Sequence, residues 1–193
     1  CSRTSIGHGS LIWSLALYAS CAAACKLSPA FYSTLCSVIS SWAIYKLQMK
    51  NINGEVTVVT NMIDILVVLA RNPKIRVVFA GGKINKSRDG FWGGMTLDFI
   101  SRLKPDIAFV GAVGVAVKEN SVSTYDIEDG INKAAIVRVS KRAYVVAEAR
   151  KLSSDGNYNY TSLDTLSGLI TDAKPAEDIC EAAGDYGVEI FLP

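Results

Sequence analysis

Histidine is almost missing from this chain: among 193 residues, His8 is the only one. A Ser-His-Asp or Cys-His centre needs an imidazole beside its nucleophile, and His8 stands in an irregular stretch, so that chemistry has no support. A strong basic excess is also missing. With 20 Lys and Arg against 18 Asp and Glu, the net charge of +2 gives no case for this segment binding nucleic acid by itself. Neither a Walker-type loop nor a dinucleotide fingerprint occurs, and there is no internal repeat, low-complexity tract or interdomain linker. What is plentiful is apolar surface, at 50% of residues, which excludes disorder as the main state and suits a single domain over 1–193.

Acidic residues are absent from one region. Residues 1–50 contain no Asp or Glu, only Arg3, Lys26, Lys46 and Lys50 as formal charges. The remainder carries 16 basic and 18 acidic residues, a balance of −2. The chain thus divides near residue 50 into a low-charge front and an ordinary soluble remainder. Residues 4–25 and 27–45 are long enough to span a bilayer if His8 is neutral, but Ser, Thr, Gly and Pro dilute both. Arg3 followed by residues 11–25 loosely mimics a secretion signal. Helices and a strand packed into a soluble core are the preferred reading, with no membrane partner. The five cysteines, at 1, 21, 25, 36 and 180, form no regular framework and read as free thiols of a reducing compartment. No metal set is evident. The first residue is Cys1 rather than Met, which reads as a fragment.

After residue 50 the pattern is regular. β-branched and apolar runs predict strands at 55–60, 75–79, 107–110, 143–147, 169–171 and 188–191. Helices are expected at 62–71, with Asn61 at the cap position, at 93–103, at 126–142 and at 175–184. In the third of these, Ile127, Ile131, Ala135 and Val139 recur every four residues and predict its buried face. A hairpin-like stretch runs through residues 118–120. Strand and helix alternate at the spacing of an α/β fold, a mainly parallel sheet with helices on both faces.

In such a sheet the binding crevice lies beyond the C-terminal strand ends. The residues there are Thr60 and Asn61, Gly81 and Gly82, Gly111 to Gly114, and Glu148 to Lys151. Glycine lets backbone N–H groups approach an anion closely, and recurrence at successive strand ends strengthens the reading beyond ordinary turns. Lys151 can neutralise an anion or be a solvated loop residue. Thr124 and Asp126 precede the long helix and suit either capping or hydroxyl recognition. Trp92 reads as a packed aromatic, with a ligand contact as the alternative. No catalytic set emerges.

Five segments occur in order: Val56-Thr57-Val58-Val59-Thr60-Asn61, Val77-Val78-Phe79-Ala80-Gly81-Gly82, Ala108-Phe109-Val110-Gly111-Ala112, Ser123-Thr124-Tyr125-Asp126 and Leu169-Ile170-Thr171-Asp172. Together they resemble the C-terminal effector-sensing domain of DeoR-type bacterial transcription regulators, over residues 52–191. The resemblance implies the fold shared with ribose-5-phosphate isomerase, glucosamine-6-phosphate deaminase and CoA transferases. It implies a cytoplasmic homo-oligomer that senses a phosphorylated sugar, uses no cofactor, and reaches DNA through a separate N-terminal winged helix-turn-helix missing from this chain. It assigns ligand-side positions to Thr60, Asn61, Gly81, Gly82, Gly111, Gly114, Thr124, Asp126 and Lys151. The alternative on the same fold is a sugar-phosphate isomerase or deaminase, whose enolisation would need a carboxylate base. Asp126 and Glu148 are the residues available for it, and Val113 stands where the family usually has an acidic or amide residue. After the strand at 143–147 the family usually has Asp followed by Ser-Lys; here Glu148 replaces the Asp and Lys151 keeps its place. The family's first strand ends in an Asp-Ser-Gly-Thr-Thr type phosphate loop about 20 residues before Thr60. Here that count reaches Ser37, Ser40 and Ser41, which keep hydroxyls without Asp or Gly.

Overall fold

A computed structural model describes residues 34–38, 56–85 and 90–192. Its centre is a seven-stranded, all-parallel sheet in the order β12-β11-β9-β6-β1-β2-β3. The strands are β1 (Thr34–Val38), β2 (Val56–Thr60), β3 (Ile75–Phe79), β6 (Ile107–Gly111), β9 (Ala143–Val146), β11 (Gly168–Ile170) and β12 (Glu189–Phe191). β6 and β9 are buried along their whole length, which is why their sequences run apolar without alternating. Two small antiparallel units sit on this frame: a hairpin of β4 (Lys83–Asn85) and β5 (Gly90–Trp92), and a three-stranded sheet of β7 (Gly114–Ala116), β8 (Ser121–Thr124) and β10 (Tyr158–Thr161). Asn120, left-handed at φ 54°, turns the chain from β7 to β8 where the hairpin-like stretch was expected.

The four helices among the described residues are α1 (Ile63–Leu69), α2 (Gly94–Ser101), α3 (Ile127–Val139) and α4 (Glu177–Asp185). Strand order reverses at β1, since β2 and β3 lie to one side and β6, β9, β11 and β12 to the other. Right-handed crossovers running in opposite directions place α1 on one face and α2, α3 and α4 on the other. Packing of α2 on α3 agrees with that placement. The α/β class and the parallel sheet are therefore as the sequence implied. None of the described helices is long and apolar enough to cross a membrane. The two low-charge stretches at 4–25 and 27–45, and Cys1, Cys21 and Cys25, lie outside the described residues, apart from the backbone of β1.

Three expectations need correction. Asn61 is not a cap: the N-cap position of α1 is Met62, which makes no side-chain cap bond. The Asn61 amide instead donates to the Phe91 carbonyl oxygen at 2.8 Å, while the Met62 N–H donates to the Thr60 hydroxyl at 3.1 Å. The long helix ends at Val139 rather than 142. Its buried face is only partly the predicted one: Ala135 is buried and Val139 packs half-buried on the core, as expected. Ile127 is 59% exposed and Ile131 38%, whereas Asp129, Asn132, Lys133 and Ile136 are buried. Apolar spacing misses this face because two of its residues are charges that cancel each other inside the core.

Lys118 ties the short turn after β7 to α4 through an ion pair with Asp178 at 2.7 Å. The bond and charge of Lys118 hold the Asp178 carboxyl below its usual range. A carboxyl depressed in the folded state stabilises fully above its unfolded pKa and loses that contribution as pH falls through the folded value. The pair therefore adds nothing to the pH dependence near neutrality. Asp178→Asn should flatten the acid limb of a stability-versus-pH curve, below about pH 4, and the alkaline limb where Lys118, held above its usual range by Asp178, loses its proton, measured by thermal melts. Both side chains are more than half exposed, so the effect is small.

Candidate functional site

Because every strand of the main sheet runs the same way, all their C-terminal ends open onto one edge. The reversal of strand order falls at β1, between β2 and β6, and puts the expected crevice there. Ser37 lies in β1, in register with Phe109 of β6. Ser40 and Ser41 lie outside the described residues.

On one side of β1, the ends of β2 and β3 are bound to the β4–β5 hairpin and to the start of α2. Thr60 and Asn61 are both buried, and the Ala80 N–H donates to the Thr60 carbonyl at 2.8 Å. Asn61 is held to Phe91 twice, by its side-chain amide and by the Phe91 N–H donating to its backbone oxygen at 2.9 Å. Gly81 accepts at its carbonyl from the buried Thr96 hydroxyl at 2.8 Å. A Cβ on Gly81 would meet no atom of the described residues within 4 Å, so among them this loop has room beside it. At Gly82 a Cβ would fall 2.1 Å from Thr96 Oγ1 and 2.7 Å from the Trp92 carbonyl oxygen. That glycine exists for a close protein contact.

On the other side stand β6, the small sheet and α3. Ser123 Oγ donates to the Gly114 carbonyl at 3.2 Å and accepts from the Gly156 N–H at 2.6 Å. Thr124, at the end of β8, is fully buried and donates to Asp129 Oδ2 at 2.7 Å. Lys133 Nζ donates to the same oxygen at 2.6 Å, and both side chains of this pair are 2–3% exposed. The Lys133 ammonium also lies 5.6 Å from the centre of the Tyr160 ring, and the Tyr160 hydroxyl donates to the Gly111 carbonyl at 3.1 Å. Burial first, and the Asp129 charge second, push the Tyr160 phenol far above its ordinary value, so it remains a donor. Asp126 caps α3 by accepting from the Asp129 N–H at 3.1 Å.

Lys151 ends a short 3-10 turn, Ala149–Lys151, just beyond β9. The turn is anchored from the neighbouring strand end, where Asp172 accepts from the Ala149 N–H at 2.7 Å. Glu148 is engaged by Arg150, and Lys151 Nζ stays 3.9 Å from it, with the Lys151 side chain 31% exposed. The ammonium is thus close to the edge and only loosely paired with Glu148.

The predicted residues fall into two groups, Thr60, Asn61, Gly81 and Gly82 on one side, and Gly111, Gly114, Thr124, Asp126 and Lys151 on the other. Packing of α3 against β5 joins them. The sequence reading missed Asp129, Lys133 and Tyr160; the only available signal was an Asp and a Lys four apart in a helix. Among the described residues three buried side-chain atoms have no hydrogen-bond partner, Asn61 Oδ1, Trp92 Nε1 and Asn132 Oδ1; the sequence reading singled out Asn61 and Trp92 but not Asn132. Among the described residues no three His, Cys, Asp or Glu gather as a metal site.

Residues 40–173 match the family model described as the DeoR C terminal sensor domain. The chain belongs to this family. The HTH-type transcriptional repressor GlcR of Bacillus subtilis is 30% identical over 144 residues, covering 74% of this chain and 55% of the relative. The Glycerol-3-phosphate regulon repressor of Escherichia coli is 25% identical over 140 residues, 72% of this chain and 55% of its own. The HTH-type transcriptional repressor CsqR of Escherichia coli is 20% identical over 141 residues, 73% and 54%. The chain spans about half the length of these curated relatives. The DeoR sensor domain match begins at residue 40, upstream of the charge divide near residue 50 and at the position of Ser40 and Ser41.

Proposed function

We infer that this DeoR sensor domain binds a phosphorylated sugar or a related metabolite at the C-terminal sheet edge, and that binding alters how the regulator holds DNA. What supports this is that one sheet edge carries an open glycine loop at Gly81 after β3 and a loosely paired ammonium at Lys151 after β9, on either side of the strand-order reversal at β1. A small loop can supply backbone donors and an ammonium can supply charge, each a feature that a phosphate at this edge can use. The name of one relative, the Glycerol-3-phosphate regulon repressor, supports a phosphorylated effector. The repressor names of the relatives favour a sensor over an enzyme. Ligand would favour one of two arrangements of the domain and so shift the affinity of an N-terminal DNA-binding part. A homo-oligomer working in the cytoplasm is part of this reading. The solvent-facing Tyr125, Ile127 and Ile131, at 56%, 59% and 38% exposure, offer apolar surface for contact between copies.

Thermal shift against sugar monophosphates, their parent sugars and inorganic phosphate tests the reading, with a turnover assay on every hit. A ligand at about 100 times its Kd should add about 2.7 kcal/mol of stability. Stabilisation by phosphorylated compounds without turnover is expected. Turnover would replace the sensor with an enzyme, and stabilisation by parent sugars alone would remove the phosphate. Lys151→Ala should weaken a phosphorylated ligand about 10-fold or more while sparing its parent sugar, since a bond to a charged group is worth about 1.5–3 kcal/mol. Equal losses for both would reject this role.

A further inference from the structure

Charge is sorted along the main sheet. Residues 65–88 carry six basic residues and no Asp or Glu, whereas 175–193 carry five acidic residues and no Lys or Arg. The first stretch contains β3, and the second contains α4 and β12. Among the described strands, β3 and β12 are the two edges of the seven-stranded sheet. One edge is therefore basic and the opposite edge acidic.

These charges are not neutralised within the domain. Arg71, Lys74, Arg76 and Lys83 are exposed, as are Glu177, Glu181, Asp185 and Glu189. None of the eight forms an ion pair among the described residues. Asp185 stands in the last turn of α4, which holds no basic residue. A carboxylate there opposes the helix dipole, so it does not stabilise its own helix. Half-buried apolar side chains lie beside the charges, Val77 and Val78 on β3 and Ile190 on β12. The two edges also match in height. The row of the sheet that holds Glu189 passes through Gly168, Tyr144, Phe109 and Ser37. Arg76 pairs with Thr57 and through it aligns with Thr34, three residues before Ser37. Three residues before Glu189 is Tyr186, the neighbour of Asp185.

We propose that the β3 edge of one copy receives the α4–β12 edge of a second copy, head to tail, with Lys74 and Arg76 facing Asp185 and Glu189 across the contact. Edge strands commonly carry charge to prevent pairing between sheets. Charge of one sign on both edges would do that for every pair of copies. Opposite signs instead repel β3 from β3 and β12 from β12, and attract β3 to β12. Because all strands run the same way, this pairing continues the sheet in parallel order. A head-to-tail contact closes into a ring or grows, according to the rotation between copies. This contact rests on the homo-oligomer reading above, uses a surface other than Tyr125, Ile127 and Ile131, and needs no effector.

Charge reversal on the whole 193-residue chain, read by sedimentation velocity, tests this. Lys74→Glu with Arg76→Glu makes both edges acidic, and Asp185→Lys with Glu189→Lys makes both basic. All four side chains are exposed and Asp185→Lys suits the helix dipole, so both variants should keep the wild-type fold by circular dichroism. Each variant alone should associate at least about 10-fold more weakly than the wild type, since like charges now face each other. An equimolar mixture should recover the association, because acidic and basic edges then meet between the two variants. Wild-type association should also weaken between about 50 mM and about 500 mM NaCl, as exposed charges are screened. If either reversal unfolds the chain, the neutral set Lys74→Gln, Arg76→Gln, Asp185→Asn and Glu189→Gln decides, and must weaken association at least about 3-fold and remove its salt dependence. Variants that associate within twofold of the wild type overturn this contact and leave the homo-oligomer standing, as does a mixture that recovers nothing. Loss of duplex DNA binding in the first variant, with association unchanged, overturns it and assigns the basic edge to nucleic acid. A wild type that stays monomeric at every concentration overturns both the contact and the homo-oligomer.

Discussion

Asp129→Ala is expected to lose about 3–5 kcal/mol of unfolding free energy, the loss typical of removing one partner from a buried ion pair. Asp129 Oδ2 receives both the Lys133 ammonium and the Thr124 hydroxyl, inside a contact where the two charged side chains are 2–3% exposed. Removing the carboxylate leaves a cation and a hydroxyl in a site that water does not reach. Urea titration monitored by circular dichroism would show the lower midpoint. Replacing both charges together, as Asp129→Leu with Lys133→Met, should recover most of the loss, because no uncompensated charge remains. The double variant should therefore be far more stable than the sum of the single losses of Asp129→Ala and Lys133→Ala. A loss below about 1 kcal/mol for Asp129→Ala would place the pair among hydrated surface bridges instead. The same network reaches Gly111 through Tyr160. Damage to it is thus expected at the strand edge as well as in the helix.

That pair also shows where sequence reading stops. Strands such as β6 and β9 were legible because burial on both faces demands an unbroken apolar run. The loops after β2, β3, β6 and β9 followed from a general rule of parallel sheets, and the ordered segments from Val56 to Asp172 pointed to the family. Side-chain direction was legible in α3 at Ala135 and Val139 but not in its first turns. Apolar spacing put Ile127 and Ile131 inside, whereas the helix turns its Asp129–Lys133 edge inward, since a charge pair whose members are hydrogen-bonded can be buried. Asn61 looked like a cap, and only a partner 30 residues away, Phe91, explains its amide. β10 was missed because the run Tyr158–Thr161 pairs with β8 across a distance in sequence that no local pattern records. Glycine was the hardest case. Identical letters stood for open space at Gly81 and for space taken by the protein at Gly82 and Gly114.

Gly114→Ala and Gly81→Ala separate those two meanings. At Gly114 a Cβ would fall 2.4 Å from the Ser154 carbonyl oxygen and 2.7 Å from Asp155 Cα. These are backbone atoms of the segment that leads to Gly156, itself pinned by its N–H donating to Ser123 Oγ. They cannot rotate away as a side chain would, so the methyl must displace the 154–156 segment or the β7 end. Overpacking of this kind costs about 1–3 kcal/mol, and the immobility of both neighbours puts Gly114→Ala at or above the upper end. Thermal melts of the free domain should show a drop of several degrees, with no ligand needed to reveal it. At Gly81 a Cβ would meet nothing among the described residues within 4 Å. Gly81→Ala should leave the melting temperature of the free domain unchanged, within about 0.5 kcal/mol, and act only when the effector is present. If the phosphate rests against this loop, the methyl holds it off the backbone donors, and affinity for the sugar phosphate should fall about 10-fold, the loss of one charged hydrogen bond. A Gly81→Ala domain that binds as tightly as the wild type would move the anion away from the β3 end and towards the loops after β1 and β9.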